Sequence, residues 1–148
     1  MTRSKSRTRA AVLAVLLGAL IAALVPAASA VAYLSNPQTW DVEVQPPLTL
    51  EARGAAVSVP VQVTCPTGAF ASLDVSVTQR SGSSAVSGSR HREINCTGSP
   101  QQFRVSVLAA PGSKVFKKGE VFVEASLFGC GYACGVMDSD GRTVKISR

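Results

Sequence analysis

Four cysteines, one histidine and the carboxylates Asp138 and Asp140 are the residues of this 148-residue chain with the most obvious chemistry. Cys65, Cys96, Cys130 and Cys134 make an even set, and in a small exported domain an even set predicts disulfides. Three pairings are formally possible. Cys65 with Cys96 and Cys130 with Cys134 is favoured, because only Gly131-Tyr132-Ala133 separates the second pair, while Cys65 ends one alternating run and Cys96 lies in another. Closing a loop of about thirty residues stabilises a fold by roughly 3 to 4 kcal/mol, and the shorter loop contributes less. Zinc would need two locally close cysteine pairs, which this spacing lacks, so no metal or cofactor is expected.

His91 stands alone in Arg90-His91-Arg92-Glu93 and no G-x-S-x-G motif accompanies it, so it reads as a surface residue and not a general base. Among the nine carboxylates, Asp138 and Asp140 stand close together within Asp138-Ser139-Asp140-Gly141. A calcium loop of the EF-hand kind would require a later glutamate at fixed spacing, and none is present. The segment reads as a turn before the last strand. Asn95-Cys96-Thr97 matches a glycosylation acceptor, but its middle residue is a predicted disulfide cysteine. No catalytic residues are expected. The candidate ligand site is aromatic: Phe122, Phe128 and Tyr132 lie on or just after one strand, with Tyr132 inside the small cysteine loop. The competing reading, which is favoured, buries that strand on both faces or covers it with the segment carrying Trp40.

The elements that would position these residues are strands. Val57, Val59, Val61, Val63 and Cys65 alternate with Ser58, Pro60, Gln62 and Thr64, and Leu73, Val75 and Val77 alternate with Asp74, Ser76 and Thr78. Cys65-Pro66-Thr67-Gly68 between them predicts a hairpin whose second strand folds back on the first. Pro60 suggests an edge or a bulge. Ser81 to Ser89 is small, polar and without period, and reads as a mobile segment before a short strand over Glu93–Thr97. Phe103, Val105, Val107 and Ala109 form another apolar face. Val121 to Phe128 is apolar on both faces, and Val144 and Ile146 close the chain. Seven or eight short antiparallel strands with no helical period predict an all-β, immunoglobulin-like β-sandwich stabilised by disulfides.

The first thirty residues read as an address. Arg3, Lys5, Arg7 and Arg9 precede an apolar run from Ala10 to Val25, and Ala28-Ser29-Ala30 supplies a cleavage site at Ala28 and Ala30. The run is shorter than the roughly 20 residues of a spanning helix. The expected organisation is a signal peptide at 1–30, a lead-in at 31–46 and the sandwich at 47–148, in a secreted protein free of the membrane after cleavage. Four of the fifteen basic residues leave with the signal, so eleven basic against nine acidic residues remain, a net charge of +2. That balance, without a basic stripe carrying interleaved aromatics, argues against nucleic acid.

Val63-Thr64-Cys65-Pro66, Val77-Thr78-Gln79-Arg80, Asn95-Cys96-Thr97-Gly98 and Phe116-Lys117-Lys118-Gly119 resemble segments of small secreted actinobacterial proteins of unknown function. That resemblance implies a bacterial, exported sandwich and no activity. Ala133-Cys134 leading to Asp138, with Val144-Lys145-Ile146-Ser147, is similar to the neocarzinostatin-type enediyne-carrier apoproteins, which implies a two-disulfide sandwich holding a small chromophore. The large Cys65–Cys96 loop departs from that family, whose bridges both close short loops, and no site residue transfers. The expected function is a secreted non-catalytic binding or structural module with an extracellular or cell-envelope partner. The alternatives are a small-ligand carrier and, behind it, a protease inhibitor.

Overall fold

A computed structural model describes residues 39–131 and 133–147. Eight strands form: β1 (Asp41–Val44), β2 (Thr49–Glu51), β3 (Ala56–Thr64), β4 (Phe70–Ser81), β5 (Ser84–Asn95), β6 (Gln101–Leu108), β7 (Gly119–Cys130) and β8 (Cys134–Ile146). In one sheet β1 and β2 follow each other along one side of β3, and β6 pairs with its other side. The second sheet has the order β5-β4-β7-β8, and every pairing between these strands is antiparallel. The protein is an all-β sandwich of the immunoglobulin-like kind. Strand β5 pairs with β4, whereas in the constant-type arrangement the strand at that place would pair with β6. Both β5 and β6 are therefore left as sheet edges.

One apolar core holds the two layers together. Val57, Val59, Val61 and Val63 of β3 are buried with Leu73, Val75 and Val77 of β4, and Val121, Val123, Ala125 and Leu127 of β7. The parity read from the sequence is thus the parity that packs. Its consequence differs from the expected hairpin, because β3 and β4 belong to different sheets and face each other across the core. Period-two alternation says which side of a strand is buried, but it is the same for strands that pair and strands that oppose. Cys65-Pro66-Thr67-Gly68 is a crossing between layers, tied by the Cys65–Cys96 bridge. The Gly68 and Gly98 amides donate to the Cys96 and Cys65 carbonyls beside it.

Pro60 lies in a central strand and not at an edge. Its position falls between the stretch of β3 paired with β1 and the stretch paired with β2, where no strand requires its missing donor. Its carbonyl accepts the Gln45 amide at 2.8 Å. Within the segment read as a lead-in, 31–46, β1 is already part of the sandwich, with Val42 and Val44 in the core. The described sandwich therefore begins at Asp41 and not at Pro47.

Two more expectations change. Ser81 to Ser89 is ordered pairing and not a loop: β4 and β5 are joined by Gly82-Ser83, with Ser81 opposite Ser84, and each runs for 12 residues. Gly82 at the first loop position, with φ 67°, supplies the conformation that two-residue hairpins demand. Similarly, Asp138-Ser139-Asp140-Gly141 is no turn but the middle of β8, which spans 13 residues. Both segments are small and polar because they belong to edge strands with one side in water, which removes the hydrophobic signal without removing the ladder.

Candidate functional site

Both disulfides lie at one end of the sandwich, Cys65–Cys96 with Cα atoms 5.3 Å apart and Cys130–Cys134 at 4.0 Å. At that end the outer face of the β5-β4-β7-β8 sheet carries a groove of about 430 Å³. Its floor is Ala71 and Gly129, paired across β4 and β7, together with Gly135 and the Cys130–Cys134 bridge. Phe70 and Phe128 are its aromatic walls, 89% and 38% exposed. Ser72, His91, Glu93 and Asn95 supply polar groups along its β5 side. A shift of register between Leu127 and Phe128 brings Val136 opposite Phe128, which sets a further exposed apolar side chain beside the groove.

Gly129 explains why the floor is shallow and firm. It has the core-facing parity of β7, and a Cβ there would stand 2.2 Å from the Trp40 ring. Trp40 packs under the groove from inside the sandwich and does not cover the aromatics outside it. The strand expected to be buried on both faces is central in its sheet, yet only its inner face is buried. Phe122 is 46% exposed.

The sequence-predicted aromatic trio is not one cluster among the described residues. Phe122 and Phe128 share the outer face but lie six residues apart on β7, roughly 20 Å at ~3.3 Å per residue. Phe122 instead lies over Gly141 of β8, whose Cβ position would be 3.3 Å from its ring. Tyr132 and the signal residues Ala28 and Ala30 lie outside the described residues. Phe70 was missed by sequence reasoning. The signal was available, because it shares the outward parity of Ser72 and Asp74, where a phenylalanine has no core to fill.

His91 is on strand β5 and opposes Asp74 of β4. Its Nδ1 is 3.1 Å from Asp74 Oδ1. The pair is open to water, and among the described residues no hydroxyl or thiol hydrogen-bonds its other ring nitrogen. Geometrically it is a cross-strand polar pair of the kind that stabilises sheets.

Asp138 and Asp140 perform structural work that the sequence concealed. The Val42 amide donates to Asp138 Oδ2 and the Val44 amide to Asp140 Oδ2, both at 2.8 Å. Arg142 bridges Asp140 at 2.7 Å and approaches Glu43 at 3.7 Å. These carboxylates satisfy the free edge of β1 and close that side of the sandwich. Inward-pointing charge of this kind also discourages strand addition at an edge. No protein-family model matches the chain, and no curated protein matches it.

Proposed function

We propose that the protein is a secreted, non-catalytic binding module of the extracellular space or cell envelope, and that the Phe70–Phe128 groove is its ligand surface. The N-terminal segment, with its basic start, apolar run and Ala28-Ser29-Ala30 site, supports export. Two disulfides favour an oxidising compartment, where such bonds persist. Among the described residues no helix is long and apolar enough to cross a membrane.

The observation that carries the reading is the exposure of two phenylalanines on rigid strands beside a disulfide, with hydrogen-bonding side chains along one side. Exposed aromatics grouped with polar neighbours mark recognition surfaces, since large apolar groups are otherwise buried. The ligand that fits has a flat apolar face and polar groups at its margin. The size of the groove favours a second reading, the small-ligand carrier, because pockets for small molecules run from about 300 to 1,000 Å³. A protease inhibitor gains less support, as the Cys130–Cys134 bridge encloses too few residues to present an inhibitory loop.

Native mass spectrometry of protein recovered from the culture medium of its source cells tests the proposal. The expected mass begins at Val31 and rises by about four hydrogens on reduction, as two disulfides require. A retained small molecule that disappears in the Phe70→Ala, Phe128→Ala double variant selects the carrier. A bare protein that captures an envelope component through the same two residues selects the module. Retention inside the cell with reduced cysteines, or capture unchanged in the variant, contradicts the proposal.

A further inference from the structure

The two open sides of the sandwich are finished differently. On the β1–β8 side the inward charges are compensated, with Asp138 and Asp140 bonded to β1 amides and Arg142 bonded to Asp140. On the β5–β6 side the charge has one sign. Arg90 and Arg92 share the inward parity of the buried Val86 and Ile94, yet both are exposed, and they face Arg104 of β6 across a groove of about 410 Å³. Among the described residues none of the three forms an ion pair. Two neighbouring carboxylates are tied to other side chains of this groove's lining, Glu51 to the Ser106 hydroxyl and Asp74 to His91, and Glu93 lines the aromatic groove.

The seam is pinned at both ends. The Ala110 amide donates to the Ser87 carbonyl at 2.8 Å, and Gly88 lies so close to β6 that a Cβ there would meet the Leu108 carbonyl oxygen at 1.9 Å. At the other end the Cys65–Cys96 bridge and a bond from Gln101 to the Asn95 carbonyl close it. Between these points β5 pairs only with β4 and β6 only with β3. The Ala109 amide donates to the Ala55 carbonyl, so the antiparallel alternation turns the main-chain groups of Arg104 and Ser106 away from β3 and towards the seam. A free strand edge of this kind is a template for one more strand.

We propose that this seam docks an extended acidic peptide, which adds to the free edge of β6 while Arg90, Arg92 and Arg104 hold its carboxylates. Arginine presents a planar fork suited to carboxylates. Arg92 is already steadied, with its guanidinium carbon 4.7 Å from the centroid of the Phe103 ring. A second copy of the chain is disfavoured as occupant, because it would bring the same three positive charges to the same place.

Calorimetric titration of the oxidised chain with an octaglutamate peptide, matched to the eight residues of β6, tests this. Two controls are needed: the same peptide N-methylated on every backbone nitrogen, which removes all its ladder donors, and an oligogalacturonate of equal charge. Saturable one-to-one binding of octaglutamate is expected, with NMR shifts at the Arg104 and Ser106 amides. The Arg92→Gln, Arg104→Gln double variant should weaken it at least tenfold, as should Arg90→Gln in the same direction. Both controls should bind at least tenfold more weakly. All these arginines are exposed, and far-ultraviolet circular dichroism confirms that the variants fold. Equal binding of the oligogalacturonate or of the methylated peptide overturns strand addition and leaves a plain anion site. Absent binding, or binding indifferent to the arginines, overturns the proposal entirely.

Discussion

Asp138 and Asp140 show how a single side chain can stand in for a missing strand. Each carboxylate accepts a β1 amide 96 positions away in sequence. Replacing either by alanine leaves a partly buried N–H without its acceptor, and Asp140→Ala also releases Arg142. Each variant is expected to lose about 1 to 3 kcal/mol in urea unfolding, the range for a stranded buried donor. Asp138→Asn, which keeps an acceptor oxygen, should lose less. Equal losses for Asn and Ala would show that the hydrogen bond is not the cause. The role was hidden in the sequence because Asp-Ser-Asp-Gly has turn chemistry and the partner is distant. The parity was nonetheless present, since Asp138, Asp140 and Arg142 continue the inward row of Val144 and Ile146. Of the groove, Phe128 was visible as an aromatic out of phase with its strand's core. Val136 was not, because its position opposite Phe128 depends on a register shift that no local pattern records.

At the scale of elements, the strands were legible wherever one face is buried: β3, β4, β6 and the inner face of β7 follow their alternation. What alternation could not distinguish is pairing from opposition, so β3 and β4 read as a hairpin although they face each other across the core. The long edge strands β5 and β8 were read as loops in part, because an edge strand tolerates small and charged residues on both sides. The two disulfides hold these elements unequally. Cys65–Cys96 joins the end of β3 to the end of β5 across the two layers, whereas Cys130–Cys134 closes the short connection from β7 to β8. Paired serine substitutions at Cys65 and Cys96 should reduce unfolding free energy by roughly 3 to 4 kcal/mol, and at Cys130 and Cys134 by about 2 kcal/mol or less. The second pair should instead weaken ligand binding, since that bridge forms part of the groove floor. Equal stability losses would contradict this division of labour.

Over the whole molecule, the interior and the surfaces have separate tasks. The space between the sheets is occupied by interlocking valines and leucines, and Trp40 packs against Gly129 at the disulfide end. The outer face of the β5-β4-β7-β8 sheet carries the aromatic groove, and the β5–β6 side carries Arg90, Arg92 and Arg104. On the function proposed above, recognition belongs to the outside of the sandwich and not to a cavity within it. The most direct test is amide chemical-shift mapping by heteronuclear NMR during titration with indole, a flat apolar ring with one hydrogen-bond donor. Saturable shifts are predicted at Phe70–Ser72, Phe128, Gly129 and Gly135, with the β3 amides from Val57 to Val63 unmoved and the response lost in Phe128→Ala. Shifts spread through β3 and the facing core strands, or a response that persists in Phe128→Ala, would contradict an external aromatic site.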